Sequence, residues 1–458
     1  MKYIAKLAGV MMMAFILTGC NIYKKYELPS ETPIISDYAQ ALQTPADSTQ
    51  LGYLPWRQVF TDPLLQTYIS RALENNTDLN NARLNVEIAQ AQLLGAKLSY
   101  FPSLAFTPNG GSASYGGSHM DWSYTLPLSA SWEIDAFGKI LNRKRGAKVS
   151  AEMAKDYEQA ARSQIVAAVA NTYYALVSLH LQLEVSNSTA VLWKEQVESM
   201  KLMKEAGRTT EAGVVQASAN YHSLLASIPE IENSIHSLES TMSLLLNVYP
   251  QQWEVSGDMT FNSPSIATTG VPMYYLANRP DVRAAEKNFA VAYYATNSAR
   301  AAFYPSIVIS AQGGFTNAIG SMIMTPGKWF IQLAGSLTAP LFSRGQNIAS
   351  LKAAKAQQQQ ALNSFQYSVL NAASDVSDAL SSYNSNRKKD EMLKLQVEDL
   401  EKAVNYTQLL FTTGDATYLE VLSAQQGLLS SQISDINCWH SSVAAIISLY
   451  QSLGGGTY

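Results

Sequence analysis

Two patterns of apolar and polar positions alternate along this chain. Trp122-Ser123-Tyr124-Thr125-Leu126-Pro127-Leu128-Ser129-Ala130-Ser131-Trp132 alternates large or apolar residues with small polar ones without a break. Residues 329 to 341 do the same: Trp329, Ile331, Leu333, Leu337, Ala339 and Leu341 fall on one side, and Gln332, Ser336 and Thr338 on the other. A period of two over about ten residues, with aromatics near the ends, predicts a strand of a transmembrane β-barrel; a soluble two-sided sheet is the competing reading. Shorter partner strands are predicted near 103–115 and 306–316, joined to these by the Gly- and Ser-rich stretches 109–121 and 317–328.

Elsewhere the pattern is helical, over unusual lengths. No proline follows Pro340, and residues 346–413 contain no glycine. Helices over 139–205 and 346–412 would each run roughly 100 Å at 1.5 Å per residue. Alanines are spread along both, and apolar residues such as Ile165, Val166, Val169, Tyr173, Leu176 and Val177 occupy more than one flank. A two-stranded coil needs one seam, whereas a helix inside a ring needs contacts on both sides. Gly207 and Gly414 end the long helices as C-cap glycines do, each before a short turn and a returning helix. Shorter helices are predicted over 62–75, 78–100 and 281–304, the last two beginning at an aspartate able to cap a first turn and stopping before Pro102 and Pro305.

These elements come in duplicate. Tyr100-Phe101-Pro102-Ser103-Leu104 returns 203 residues on as Phe303-Tyr304-Pro305-Ser306-Ile307, and Gly138, Gly207 and Val214 return 207 residues on as Gly345, Gly414 and Val421. A period of about 200 residues is too long for a solenoid and predicts two equivalent halves. We divide the chain into a leader (1–19), a lipidated tether (20–61), a first repeat (62–260) and a second (261–458). Each repeat supplies two strands and a long helical hairpin. Four strands cannot close a barrel, and in lipid every strand edge must be paired. The barrel is therefore shared between chains: two copies would give eight strands and three would give twelve.

Met1–Gly19 has a positive start and a short apolar stretch, the form of an export signal. Leu17-Thr18-Gly19-Cys20 places a cysteine at the cleavage position, so Cys20 is expected to become an acylated N-terminus; an ordinary secretory signal is the alternative. Pro29, Pro33, Pro45 and Pro55, spread among polar residues, predict an extended tether behind it. The other cysteine, Cys438, falls in a helical pattern and reads as packing. A net charge of −4 carries no nucleic-acid signal. The five histidines are scattered, and we find neither a metal-ligand spacing nor a nucleophile elbow nor a phosphate loop. An enzyme and a metal centre are therefore not expected, and no cofactor beyond the covalent lipid.

The leader with its cysteine, the duplicated strand–strand–long helix–Gly turn–return helix, and the Gly414-Asp415-Ala416-Thr417-Tyr418-Leu419-Glu420-Val421-Leu422-Ser423-Ala424-Gln425 segment resemble the outer-membrane factor family. These are the TolC-like channels, and the likeness is to the lipoprotein branch paired with resistance-nodulation-division pumps. The resemblance implies a mainly α homotrimer in which duplicated helical hairpins form a periplasmic tunnel. Four strands per chain would enter a twelve-stranded barrel in outer-membrane lipid. It also implies an equatorial band of short elements, for which 40–75, 248–275 and the C-terminal tail are the candidates. The implied partners are a periplasmic adaptor and an inner-membrane pump, and the implied function is an exit duct from the periplasm. A type I secretion duct and a structural coiled-coil lipoprotein are the alternatives. By the same resemblance Gly207, Arg208, Thr209, Gly414, Asp415, Ala416 and Thr417 would be docking turns, and Glu420 with Asp415 would guard the closed tip. Ser423 stands where some members carry a second acid. For Glu420 a solvated helix face is the plainer alternative.

Overall fold

The computed structural model describes residues 23–29, 32–42, 51–113, 116, 121–261, 276–318 and 328–456. In chain order these form helices α1 (Pro33–Ala41), α2 (Trp56–Val59), α3 (Pro63–Asn75) and α4 (Thr77–Leu98), then strands β1 (Ser103–Phe106), β2 (Asn109–Ala113) and β3 (Asp121–Ile134). The long helix α5 (Lys139–Glu205) and its return α6 (Glu211–Leu245) close the first repeat. The second repeat has α7 (Pro280–Ala301), β4 (Ser306–Ala318), β5 (Lys328–Thr338), α8 (Gln346–Thr413) and α9 (Tyr418–Ser452).

The compact units do not follow the repeats. One unit holds the described residues before Ser30 with Leu84–Lys155 and Arg283–Tyr367; the other holds the described parts of Glu31–Arg83, Asp156–Val282 and Ser368–Tyr458. The compact units thus cut across the 62–260 and 261–458 repeats. The reason lies in the sheet, where β3 of the first repeat pairs along its length with β4 of the second.

The sheet order is β1-β3-β4-β5, antiparallel throughout, with β2 also paired to β3. The strand expected near 103–115 is interrupted at Thr107–Pro108, because Pro108 has no N–H for the ladder. Pro127 sits inside β3, where proline is rare; it pairs with Gly314, at which an added Cβ would come within 2.1 Å of Leu126 O. Only a glycine leaves room there. Strand β5 stops at Thr338, so Ala339 and Leu341, expected on its apolar side, lie beyond it.

The register sorts the sheet by polarity. Leu126 pairs with Phe315, Leu128 with Gly313, Ala130 with Ala311 and Trp132 with Ile309. Those residues continue to Trp329, Ile331, Leu333 and Gly335, and Leu104 and Phe106 pair with Ala130 and Leu128. Directly paired residues share a face, so one face is apolar across all strands. The other carries Ser123, Thr125, Ser129, Ser131, Ser310, Gln312, Thr316, Gln332 and Ser336. On the apolar face Trp329, Ile331 and Leu333 are 71%, 70% and 76% exposed.

The helical unit is built the usual way round, with its large side chains inside. Leu65, Ile69, Tyr173, Leu176 and Tyr450 are buried. Asp62 caps α3 by accepting from the N–H of Leu64, and its other oxygen accepts from Tyr173 Oη at 2.5 Å. The same hydroxyl accepts from Ser256 N at 3.0 Å, and Tyr68 Oη donates to Glu254 O. Tyr450 Oη donates to Leu54 O, and its ring meets Phe60 edge-on. Burial pushes the Tyr450 phenol up to about 12; burial and then the Asp62 hydrogen bond raise that of Tyr173. Residues from 51–75 and 248–258 thus gather on α5 and α9; 262–275 lie outside the described residues.

Three expectations need correction. Helix α4 is capped by Asn76, which accepts from the N–H groups of Asp78 and Leu79, so Asp78 lies within the first turn. Asp281 bonds the N–H of Val282 but gives most of its oxygens to Arg279. The tether is folded where described. Tyr26 packs on Phe289 and Tyr293, with its N–H on Tyr294 Oη, and α1 buries Ile35 and Tyr38.

Candidate functional site

Two surfaces stand out among the described residues. The first is the strand pair of faces. Tyr124, Leu126, Leu128 and Trp132 on β3, and Trp329, Ile331, Leu333 and Leu337 on β5, occupy apolar-face register positions. Leu128, Trp132, Trp329, Ile331, Leu333 and Leu337 are exposed, while Tyr124 is buried. Trp122 pairs with Ser112 at the far end of β3. On the polar face, hydroxyls lie against neighbouring backbone: Thr316 Oγ1 donates to Tyr124 O at 3.1 Å, and Ser103 Oγ to Ser131 O at 3.2 Å.

The second surface is the pair of turns that end the long helices. Gly207 has φ +71° and Gly414 φ +90°, values that L side chains rarely adopt. Around Gly207 the N–H of Arg208 reaches Met203 O and that of Gly207 reaches Lys204 O. Around Gly414 the N–H of Asp415 reaches Leu410 O and that of Gly414 reaches Phe411 O. Both are Schellman caps, which satisfy the carbonyls a helix leaves open. An added Cβ at either glycine would meet nothing within 4 Å, so only the backbone angle demands glycine.

The turns differ in their polar wiring. In the first, Thr210 caps α6 by accepting from Gly213 N, and Lys204 pairs with Glu211 across the hairpin. In the second, Glu420 accepts from the backbone N–H of Thr417 at 3.2 Å, half of a capping box. Asp415 accepts from Thr413 Oγ1 at 2.9 Å. These two acids, expected together at a gate, each serve the local turn within one chain. Thr417-x-x-Glu420 is the box motif, so that role was legible in the sequence. Phe411 and Tyr418 close this hairpin with ring centroids 6.1 Å apart. Gly207, Arg208, Gly414, Asp415, Thr417 and Glu420 are exposed, and Thr209 and Ala416 half-buried. Leu202, Leu409 and Leu419 beside them are exposed too. Leu429 of α9 packs on the core of the first hairpin, formed by Ala190, Trp193 and Leu224.

One node escaped the sequence reading. Arg279, buried ahead of α7, bonds Asp281 at 2.8 Å, Asp375 of α8 at 2.9 Å and the Ser452 carbonyl of α9 at 3.4 Å. Burial pulls its guanidinium down, but the two carboxylates outweigh burial and leave it raised. Burial likewise pushes Asp281 up, and the Arg279 contacts outweigh it and hold the carboxyl below its usual range. The signal was the repeat itself: residue 203 positions earlier is Asn76, whose Nδ2 donates to Leu245 O at the matching end of α6. A cavity of about 970 Å³ lies beside Arg279 and Asp375, lined by alanines, serines and other polar residues of α8 and α9. Cys438 is buried, its thiol donating to Asn386 O, and burial raises the thiol's pKa. Among the described residues no group of His, Cys, Asp and Glu is arranged to hold a metal, and no helix is long and apolar enough to cross a membrane. Cys20 lies outside the described residues.

A family model described as outer membrane efflux protein matches residues 68–248 and again 272–455, once per repeat. The probable outer membrane lipoprotein SilC of Salmonella typhimurium is 27% identical over 452 residues, covering 96% of this chain and 97% of that protein. The antibiotic efflux pump outer membrane protein ArpC of Pseudomonas putida is 26% identical over 474 residues, covering 99% of this chain and 96% of that protein. Among solved structures, the open state of the Neisseria gonorrhoeae MtrE outer membrane channel superposes with a TM-score of 0.81 at 26% identity, covering 95% of this chain and 97% of that one.

Proposed function

The chain belongs to the outer membrane efflux protein family, and from that premise we propose how its surfaces divide the work of an outer-membrane efflux channel. It is a duct in the outer membrane, from a family of channels rather than of enzymes. In our reading three copies close one twelve-stranded barrel, with the Trp329–Leu337 face toward lipid and the Ser129–Gln312 face toward the lumen. The hairpins α5–α6 and α8–α9 from three chains would then form the periplasmic tunnel. Its end would carry the Gly207-Arg208-Thr209 and Gly414-Asp415-Ala416-Thr417 turns, offered with the exposed Leu202, Leu409 and Leu419 to a periplasmic adaptor that joins the duct to an inner-membrane pump. Glu420 and Asp415 would place acidic groups around that opening. Cys20 would carry the lipid, and no other cofactor is needed for passive conduction.

The observation that carries this reading is the exposed apolar face continuous across β1, β3, β4 and β5. Water does not favour such a face, and lipid does. Cross-linking in membranes should give a ladder ending at three, and the purified species should conduct in planar bilayers. A ladder ending at two would require an eight-stranded barrel instead. A species that leaves the membrane once the lipid is removed would refute the channel.

A further inference from the structure

Where β3 runs into α5 the chain becomes strongly basic. Between Glu133 and Lys148 there are five cations, Lys139, Arg143, Lys144, Arg145 and Lys148, against two acids. Both acids are engaged within the fold: Glu133 holds Lys139 at 2.8 Å, and Asp135 accepts from the N–H groups of Ile140 and Leu141 at the start of α5. Cations in the first turns of a helix oppose its dipole, which favours acids there. Helix formation therefore does not explain Arg143, Lys144 and Arg145, whereas Lys148 pairs with Glu152 one turn on at 3.7 Å. Lys144 lies over the Tyr100 ring and Arg145 donates to Tyr23 O. Arg143 and, at the matching start of α8, Arg344 are exposed and form no ion pair among the described residues. Lys24 and Lys25 are exposed on the segment whose Tyr26 packs on α7.

This basic zone adjoins the end of the apolar face. Trp132 at the end of β3 is exposed, and Leu341 and Phe342, just ahead of Arg344, are 96% and 86% exposed. The Tyr23 backbone is held by Arg145 in the same zone. Apolar surface and then a cationic rim is the order expected from hydrocarbon outward to headgroups.

We propose that Lys24, Lys25, Lys139, Arg143, Lys148 and Arg344 form a collar that binds the phosphates of anionic phospholipids in the leaflet on the helix side of the barrel. The collar rests on the channel reading for its depth in the membrane. It fixes that depth: lipid contacts on the strands resist tilting only weakly, and charge pairing at one level supplies a reference plane. The favoured lipid is a phosphatidylglycerol-type headgroup with net negative charge, over a zwitterionic one.

The test uses the full chain reconstituted into phosphatidylcholine vesicles with trace spin-labelled phosphatidylglycerol or phosphatidylcholine. The motionally restricted fraction of each label reports contact with the protein. Wild-type protein should prefer the phosphatidylglycerol label by about five-fold, the equivalent of one well-placed cation near the surface, and 0.5 M salt should reduce that preference. The K139Q/R143Q/K148Q/R344Q variant should lose the preference while restricting as much total lipid as wild type. The K139R/K148R variant should keep it. Equal association of both labels with wild type, or an undiminished preference in the quadruple variant, overturns the collar alone. Loss of the preference on adding 10 mM inorganic phosphate at constant ionic strength also overturns it, in favour of a free-anion site. No motionally restricted lipid in any sample overturns the channel reading and the collar with it.

Discussion

The sheet and the helical core of this chain obey opposite burial rules. In the core, Leu65 and Ile69 are fully buried, and polar groups such as Tyr173 Oη and Asp62 are paired with one another. In the sheet, leucines and tryptophans stand exposed on one face, and serines and threonines share the opposite one. Both regions use the same residue types and ordinary hydrogen-bond geometry. What differs is the solvent each must face. Exposed apolar side chains are common singly, but a contiguous face of them marks a surface meant for lipid or another protein.

The contrast can be broken by paired substitutions. The largest effect is expected from Leu65→Ala, which opens a cavity in the helical core and should cost about 2–5 kcal/mol, read as a lowered midpoint in thermal melts followed by circular dichroism. Leu333→Ala, on the exposed face, should leave that midpoint nearly unchanged. Leu333→Arg is next: at mid-bilayer an arginine on the lipid face costs about 2–4 kcal/mol, seen as reduced insertion into vesicles. Gln332→Arg, one residue away on the other face, should insert normally and alter single-channel conductance. Similar insertion defects in both would refute the two-faced sheet.

Smaller effects belong to the turns. Gly414→Val forces a β-branched residue to φ +90°, at about 1–2 kcal/mol or more, and should impair efflux in a susceptibility assay while assembly persists. Glu420→Gln separates two roles, because glutamine also completes a capping box. The α9 start should stay folded while cation selectivity in bilayers changes. Unchanged selectivity would leave Glu420 a capping residue only. The smallest effect is on pH. Asp281 is held below its usual range, so the Arg279 node contributes at pH values above the ordinary carboxylate pKa and is lost as pH falls through the lowered one. Asp281→Asn should flatten the acid limb of a stability–pH curve.

Much of this was legible in the chain because the signals were long. Sixty-seven or more residues without a proline read as a long helix, and a period of two assigns the faces of a strand; Gly207 and Gly414 marked the hairpin ends by the same logic. What escaped depended on single contacts across distant segments. Nothing local assigns the α4 cap to Asn76 rather than Asp78, and Arg279 acquires its meaning only when α8 brings Asp375 to it. The break at Pro108 was visible as a residue but not as a break, since the neighbouring Thr107 N–H still pairs with Pro127 O. In the tether, prolines at 29 and 33 suggest extension, while Tyr26, Ile35 and Tyr38 are packing residues.

The central claim is that neighbouring residues of one strand face lipid and water in turn. It is tested most directly by spin-labelling Leu333→Cys and Gln332→Cys separately, in reconstituted protein, and measuring relaxation by oxygen and by a water-soluble nickel chelate. The account predicts that the label at 333 relaxes with oxygen and that the label at 332 relaxes with nickel, alternating along β5 through 331 and 336. Equal accessibility of both positions to the nickel chelate would contradict it.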